Sequence, residues 1–134
     1  MDTGSAALQL STTYLRLRPD SSVEAIPVDE TFWPRIMSGQ LGSFHNEYLV
    51  TSFTYEKDWG GWEKHPAGEE MVCLLSGSVT LVLEDEHGVR REVALEQDGS
   101  YVLVPRNTWH TAKVRKPSRI LFITPGEGTQ NRPV

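Results

Sequence analysis

The chain has 134 residues, 38% hydrophobic and 23% charged, with a formal net charge of −5, a length that accommodates one ordinary globular core and not two. The negative balance excludes a general nucleic-acid binder, which needs a dense basic surface for phosphates. No apolar run is long enough to cross a membrane, and the single cysteine, Cys73, excludes an intrachain disulfide.

Residues 1–7 are small and polar and are expected to be a flexible end. No charged-then-apolar leader is visible near the start, so a cytoplasmic location is expected. Short runs rich in Val, Leu, Ile, Phe, Tyr and Thr follow, separated by Gly, Pro, Asp and Asn, which is an all-β pattern. The reading places strands at 14–17, 23–28, 47–55, 71–75, 78–84, 90–94, 100–104, 110–114 and 119–124. The one helix spans 30–37, capped by Asp29 and limited by Pro34, and is expected to plug one side of a barrel with Trp33 packed on it. Hairpin turns are predicted at Ser76-Gly77 and at Asp85-Glu86-His87-Gly88, which leaves His87 on an exposed tip. The basic group Lys113, Arg115, Lys116 and Arg119 reads as solvated charge in a turn between the last two strands. Residues 126–134 lack periodicity and are expected to be a second flexible end. The whole chain is one domain.

Alternation within the strands adds detail. If Glu70 faces the interior, Val72 and Leu74 share its face, while Met71, Cys73 and Leu75 form an equally apolar outer face. That outer face needs covering by the N-terminal strands or by a second subunit, so a homodimer is expected.

Two segments carry the chemistry. Trp62-Glu63-Lys64-His65-Pro66-Ala67-Gly68-Glu69-Glu70, followed by Gly77, resembles the first cupin motif, G-x5-H-x-H-x(3,4)-E-x6-G. Here His65 stands at the second histidine, Glu70 at the glutamate and Gly77 at the closing glycine. Gly99 to His110 resembles the second motif, G-x5-P-x-G-x2-H-x3-N, with Gly99, Pro105 and His110 in register. The resemblance implies a small single-domain cupin of the conserved-barrel type: a double-stranded β-helix, or jelly-roll barrel, with one short helix. The chain departs from the pattern at Glu63, where the first histidine is usual, at Lys57 for the opening glycine, at Asn107 for a glycine and at Val114 for the final asparagine. Asn107 is compatible because Asn also adopts left-handed backbone angles.

The residues support a site on their own terms. Glu63 and His65 are two apart on an extended segment and project to one face; Glu70 returns after the Pro-Ala-Gly turn, and His110 arrives from another hairpin. Carboxylates buried in an apolar barrel are disfavoured unless they are paired or bind a cation. One divalent transition metal, iron, manganese, zinc or nickel, would resolve that cost, with Glu63, His65, Glu70 and His110 as ligands. In the alternative, the barrel is metal-free and Glu70 hydrogen-bonds one or both histidines. Glu63 is either a ligand or a general base. His45 is a lesser candidate in a loop, and Glu69 points away to solvent. Among the nearby aromatic residues, Phe53, Tyr55, Trp62 and Tyr101 are expected to line a ligand pocket, Trp59 lies close in sequence, and Trp109 points outward.

Two functions fit this pattern. One is a small metal-dependent enzyme, of the oxygenase, isomerase or cyclase type that the resemblance implies, acting on a small organic molecule. The other is a non-catalytic ligand-binding or sensor barrel with a structural metal or none.

Overall fold

The computed structural model describes residues 6–134, so the expected flexible N-terminus falls mostly outside the described residues. In chain order the elements are β1 Thr13–Leu17, β2 Val23–Pro27, α1 Phe32–Met37, β3 Tyr48–Tyr55, β4 Gly61–Lys64, β5 Glu70–Glu84, β6 Arg90–Leu95, β7 Tyr101–Val104, β8 Trp109–Pro125 and β9 Gln130–Pro133. The all-β barrel with one short helix is therefore present. No helix among the described residues is long and apolar enough to cross a membrane.

The two long strands β5 and β8 organise everything else. They pair antiparallel from Met71↔Ile123 to Glu84↔Trp109. The first half of β5 also pairs with β7, and its second half with β6. The second half of β8 pairs with β3, which leads on to β1 and β2; its first half meets β4 at Glu63↔His110, and β4 leads on to β9. Two strand groups thus share the same pair of bent strands and enclose one interior.

The bend corrects an expectation. Ser76-Gly77 is not a hairpin turn but an irregularity inside β5, with register shifts between Leu74, Ser76, Ser78 and Val79. The extra residue changes which positions face inward. Val72 and Leu74 are buried before it, whereas Val79, Leu81 and Leu83 are buried after it, all in one core with Ala112, Ile120 and Phe122 from β8. Gly77 has φ +107, and a Cβ there would lie 2.2 Å from Oγ of Ser118 and 2.6 Å from its Cα. Opposite it, the Ser118 hydroxyl donates to the carbonyl of Lys116 and accepts from the amide of Ser78. The stretch holding the basic group is accordingly continuous strand, not a turn. The other hairpin is present, with Gly88 at φ +77 and Asp85 accepting from the amides of His87 and Val89.

A second apolar cluster, Tyr14, Ile26, Phe32, Phe44 and Leu49, packs the helix onto the N-terminal strands. The N-cap is Thr31, not Asp29, whose carboxylate instead accepts from the amide and hydroxyl of Thr31. Pro34 does not end the helix: it sits in the first turn, where its missing N–H costs nothing. Phe53 joins the two clusters, 5.9 Å from the rings of both Tyr14 and Phe122, so the helix side closes one end of the interior. The C-terminal segment is not a loose end, because β9 pairs with β4 from Gly61↔Pro133 to Lys64↔Gln130.

Gly77→Ala should lower unfolding stability by about 3 kcal/mol or more, since it combines a strained positive φ with overlap against backbone. Denaturant melts of this variant beside Gly88→Ala, which meets nothing within 4 Å, separate the overlap from the strain of positive φ alone.

Candidate metal centre

Extended backbone on β4 carries Glu63 inward, and the same face continues to His65 just beyond the strand. Glu70 opens β5, and His110 lies near the start of β8. The four side chains offer ligand atoms that all lie within 4.8 Å of one another. His65, Glu70 and His110 are 3%, 2% and 0% exposed, whereas the Glu63 side chain is 41% exposed and marks the open edge of the group.

The distances define a cluster centred on Glu70. Its Oε1 lies 2.8 Å from Nε2 of His110, and its Oε2 lies 3.3 Å from Nε2 of His65. Oε2 of Glu63 lies 3.8 Å from the same His65 nitrogen. Threonine hydroxyls and a backbone carbonyl orient the set from behind. Thr124 donates to Oε2 of Glu70 at 2.6 Å. Nδ1 of His110 lies 3.1 Å from the carbonyl of Thr108, and a carbonyl only accepts, so this nitrogen carries the proton. Nδ1 of His65 lies 2.9 Å from the Thr129 hydroxyl. Both imidazoles therefore turn Nε2 toward the centre, which is how second partners prepare a histidine for a metal.

Electrostatics follow from that crowding. Burial pushes the Glu70 carboxyl up, but its contacts with His110 and His65 outweigh burial and hold it at about 2. Burial lowers His110, and Glu70 more than reverses this, so His110 ends above its ordinary value. Glu63 is raised, first by burial and then by the negative charge of Glu70. Tyr55 is raised by burial and by the charges of Glu63 and Glu70, so its hydroxyl stays protonated at neutral pH.

These residues fit a cation, and the fit can be tested on unmet bonding capacity. Nε2 of His65, Nε2 of His110 and Oε1 of Glu70 are buried without an aligned hydrogen-bond partner. Nε2 of His110 approaches Oε1 of Glu70 at 2.8 Å as an ion pair, and the arrangement of protein groups alone leaves no aligned hydrogen bond at these three buried atoms. Two imidazole nitrogens with one or two carboxylate oxygens suit iron, manganese, zinc or nickel.

Among the aromatic residues, Tyr55 and Phe53 pack on the interior core, with Tyr55 5.6 Å from Trp59 and Trp59 6.2 Å from His110. Trp62 and Tyr101 are not lining residues. Trp62 alternates away from Glu63 and lies between the guanidinium groups of Arg90 and Arg132, each 4.8 Å from its ring. Tyr101 pairs with Cys73 on the outer face and is 56% exposed. Trp109 also faces outward, stacked by Arg132 and Lys64. His45 sits in an exposed loop 3.1 Å from Glu127, His87 is exposed on its turn, and Glu69 is exposed. Two surface clefts, of about 490 and 120 Å³, are lined by residues other than the four candidate ligands.

No protein-family model matches the sequence, and no curated protein matches it. Solved structures do. A hydroquinone 1,2-dioxygenase from Sphingomonas sp. TTNP3, with 4-hydroxybenzoate bound, superposes with a TM-score of 0.51 at 18% identity, over 57% of this chain and 58% of that one. Oxalate decarboxylase from Bacillus subtilis, described with Mn(II) centres, superposes at 0.53 and 20% identity, over 65% of this chain and 24% of that one. A cupin-2 domain protein from Shewanella frigidimarina gives 0.49 at 18% identity, over 58% of this chain and 70% of that one. The chain has a cupin-type barrel, the fold it shares with the dioxygenase and the decarboxylase. The match spans 58% of the dioxygenase chain and about a quarter of the decarboxylase chain, so the likeness describes the barrel alone.

Arg132 links the C-terminal strand to this centre, because it stacks on Trp62 and Trp109, pairs with Glu84, and lies three residues beyond Thr129. Thr129→Val should weaken cation affinity roughly 10- to 100-fold, with Thr129→Ser retaining it. Arg132→Ala should shift affinity in the same direction as Thr129→Val, read by competition with a chelating dye.

Proposed function

We propose that the barrel holds one divalent transition metal through His65, Glu70 and His110, with Glu63 as a fourth ligand or as a general base, and that the centre acts on a small organic molecule. The observation that carries this reading is the convergence of three buried, unmet ligand atoms on one point. When bound, such an ion supplies Lewis acidity and an ordered position for an oxygen ligand. The chain's own residues do the rest. His110 is fixed in tautomer by the Thr108 carbonyl, the Thr129 hydroxyl orients His65, and Thr124 holds the Glu70 carboxylate. Glu63, raised by burial and exposed on one edge, is placed to accept a proton from a group entering there. That open edge favours an enzyme over a sealed structural site, which would close its shell. The reaction belongs to the oxygenase, isomerase or cyclase class that the family resemblance implies, and the dioxygenase and the decarboxylase similar in fold are in keeping with a metal-dependent reaction.

Elemental analysis of untagged protein should find near-stoichiometric iron, manganese, zinc or nickel in the wild type and in His87→Ala, and a loss of most of it in His110→Ala. Equal metal in the two variants would remove the site assignment. The loaded wild type is then screened for substrate-dependent oxygen uptake and for isomerase activity, against Glu63→Gln as the base-deficient control.

We also propose a homodimer. The outer face carries an uncharged apolar row, Leu15, Val50, Ile123, Met71 and Leu103, that crosses five strands. Such a row is self-complementary across a two-fold axis. Light scattering should give about twice the 15.1 kDa chain mass, returning to the single mass in Leu103→Glu.

A further inference from the structure

The metal reading leaves two buried polar atoms unexplained, Nε of Arg35 on the helix and the indole nitrogen of Trp59, and of these the Trp59 ring packs against His110. The indole N–H of Trp59 is buried and has no acceptor among the described residues. An indole nitrogen only donates, and leaving a buried donor unmet is costly, so an acceptor from outside the protein is the natural partner. The ring is not free to seek one elsewhere. The Trp59 amide donates to the carbonyl of Ala112 at 3.0 Å, and Asp58 accepts from the amide of Val114 at 2.7 Å. Those bonds tie the loop to β8 within a few residues of His110, and the Trp59 ring packs at 6.2 Å from that imidazole.

Tyr55 stands next to it, 5.6 Å between ring centres, and brings a hydroxyl that can donate. Phe122 backs both rings, at 5.8 Å from Trp59 and 6.4 Å from Tyr55. Beside His110 the polar groups of this wall are therefore the Trp59 N–H and the Tyr55 hydroxyl, with the Glu63 and Glu70 carboxylates on the metal side. An indole N–H that only donates, beside a hydroxyl that can donate, matches an oxygen that only accepts.

We propose that Trp59 and Tyr55 form a two-donor cradle for a carboxylate or similar oxyanion of a small ligand bound at the metal centre. The inference deepens the proposed function and rests on it, since the cation supplies the other attraction for that anion. Trp59 and Tyr55 would then set specificity for substrates that carry an acidic oxygen, and reject isosteres that lack one.

The test uses the cobalt(II)-loaded full chain and acetate as the probe, followed by visible absorption of the cobalt. Wild type, Trp59→Phe and Tyr55→Phe should bind cobalt equally, while each variant binds acetate about tenfold more weakly or worse, as expected for losing one hydrogen bond to a charged group. Phenylalanine keeps the ring packing at both positions, and the two variants report independently. Acetate binding of wild-type strength in both variants overturns the cradle and leaves the metal centre intact. No acetate binding by the cobalt-loaded wild type also overturns the cradle, as does loss of cobalt from both variants, which would make these rings supports for His110. Failure of the wild type to take up cobalt overturns the metal reading and the cradle together.

Discussion

A carboxylate that is 2% exposed governs this molecule. Glu70 lies in an apolar barrel and stays ionised only because two imidazoles and a threonine hydroxyl surround it. Each of those partners comes from a different part of the chain. Thr124 lies near the end of β8 and His110 near its start, while His65 follows β4. For these to meet, both strand groups have to wrap one interior, and the bends in β5 and β8 accomplish that. The irregularity at Gly77 matters because it lets one strand present Glu70, Val72 and Leu74 to the interior and then switch to Val79, Leu81 and Leu83.

The same dependence ties the end of the chain to the centre. The Thr129 hydroxyl meets Nδ1 of His65, and β9 follows immediately. Arg132 fixes that strand by lying against two indole rings and pairing with Glu84. Cation–π contacts of this kind each contribute about 0.5–1 kcal/mol at exposed sites, and Arg132 makes two of them beside an ion pair. The outer surface of the barrel thereby helps fix the segment that meets His65 on the inside.

That Glu63, His65, Glu70 and His110 come together could be read from the motif resemblance and from spacing: two residues apart on extended chain gives one face, and a Pro-Ala-Gly turn returns the next strand. The fold class could be read from short β-rich runs for the same reason. The supports could not, since Thr124, Thr129 and Thr108 are ordinary strand and loop residues whose partners lie up to 64 positions away. The tail looked unstructured because β9 has no apolar alternation; pairing with β4 and the stacking of Arg132 stabilise it instead. Ser76-Gly77 and the Lys116-Pro117 stretch looked like turns because Gly and Pro punctuate both strands, yet here they mark bends within continuous strands. Trp62 and Tyr101 looked like pocket residues by proximity to the motifs, whereas strand parity sends both outward. Asn107, standing for a motif glycine, does adopt the left-handed conformation, at φ +60.

Function then follows from how little of the centre is satisfied by protein alone. Three buried atoms without aligned partners, one half-exposed carboxylate and an indole ring packed beside His110 are the observations from which we propose a site for an ion and a small ligand. The most direct measurement is X-ray absorption at the edge of the metal bound to the purified protein. The account predicts light-atom scatterers at 2.0–2.2 Å with the outer-shell pattern of two imidazoles and no sulfur. A shell of oxygens without imidazole scattering, or one containing the sulfur of Cys73, would contradict it.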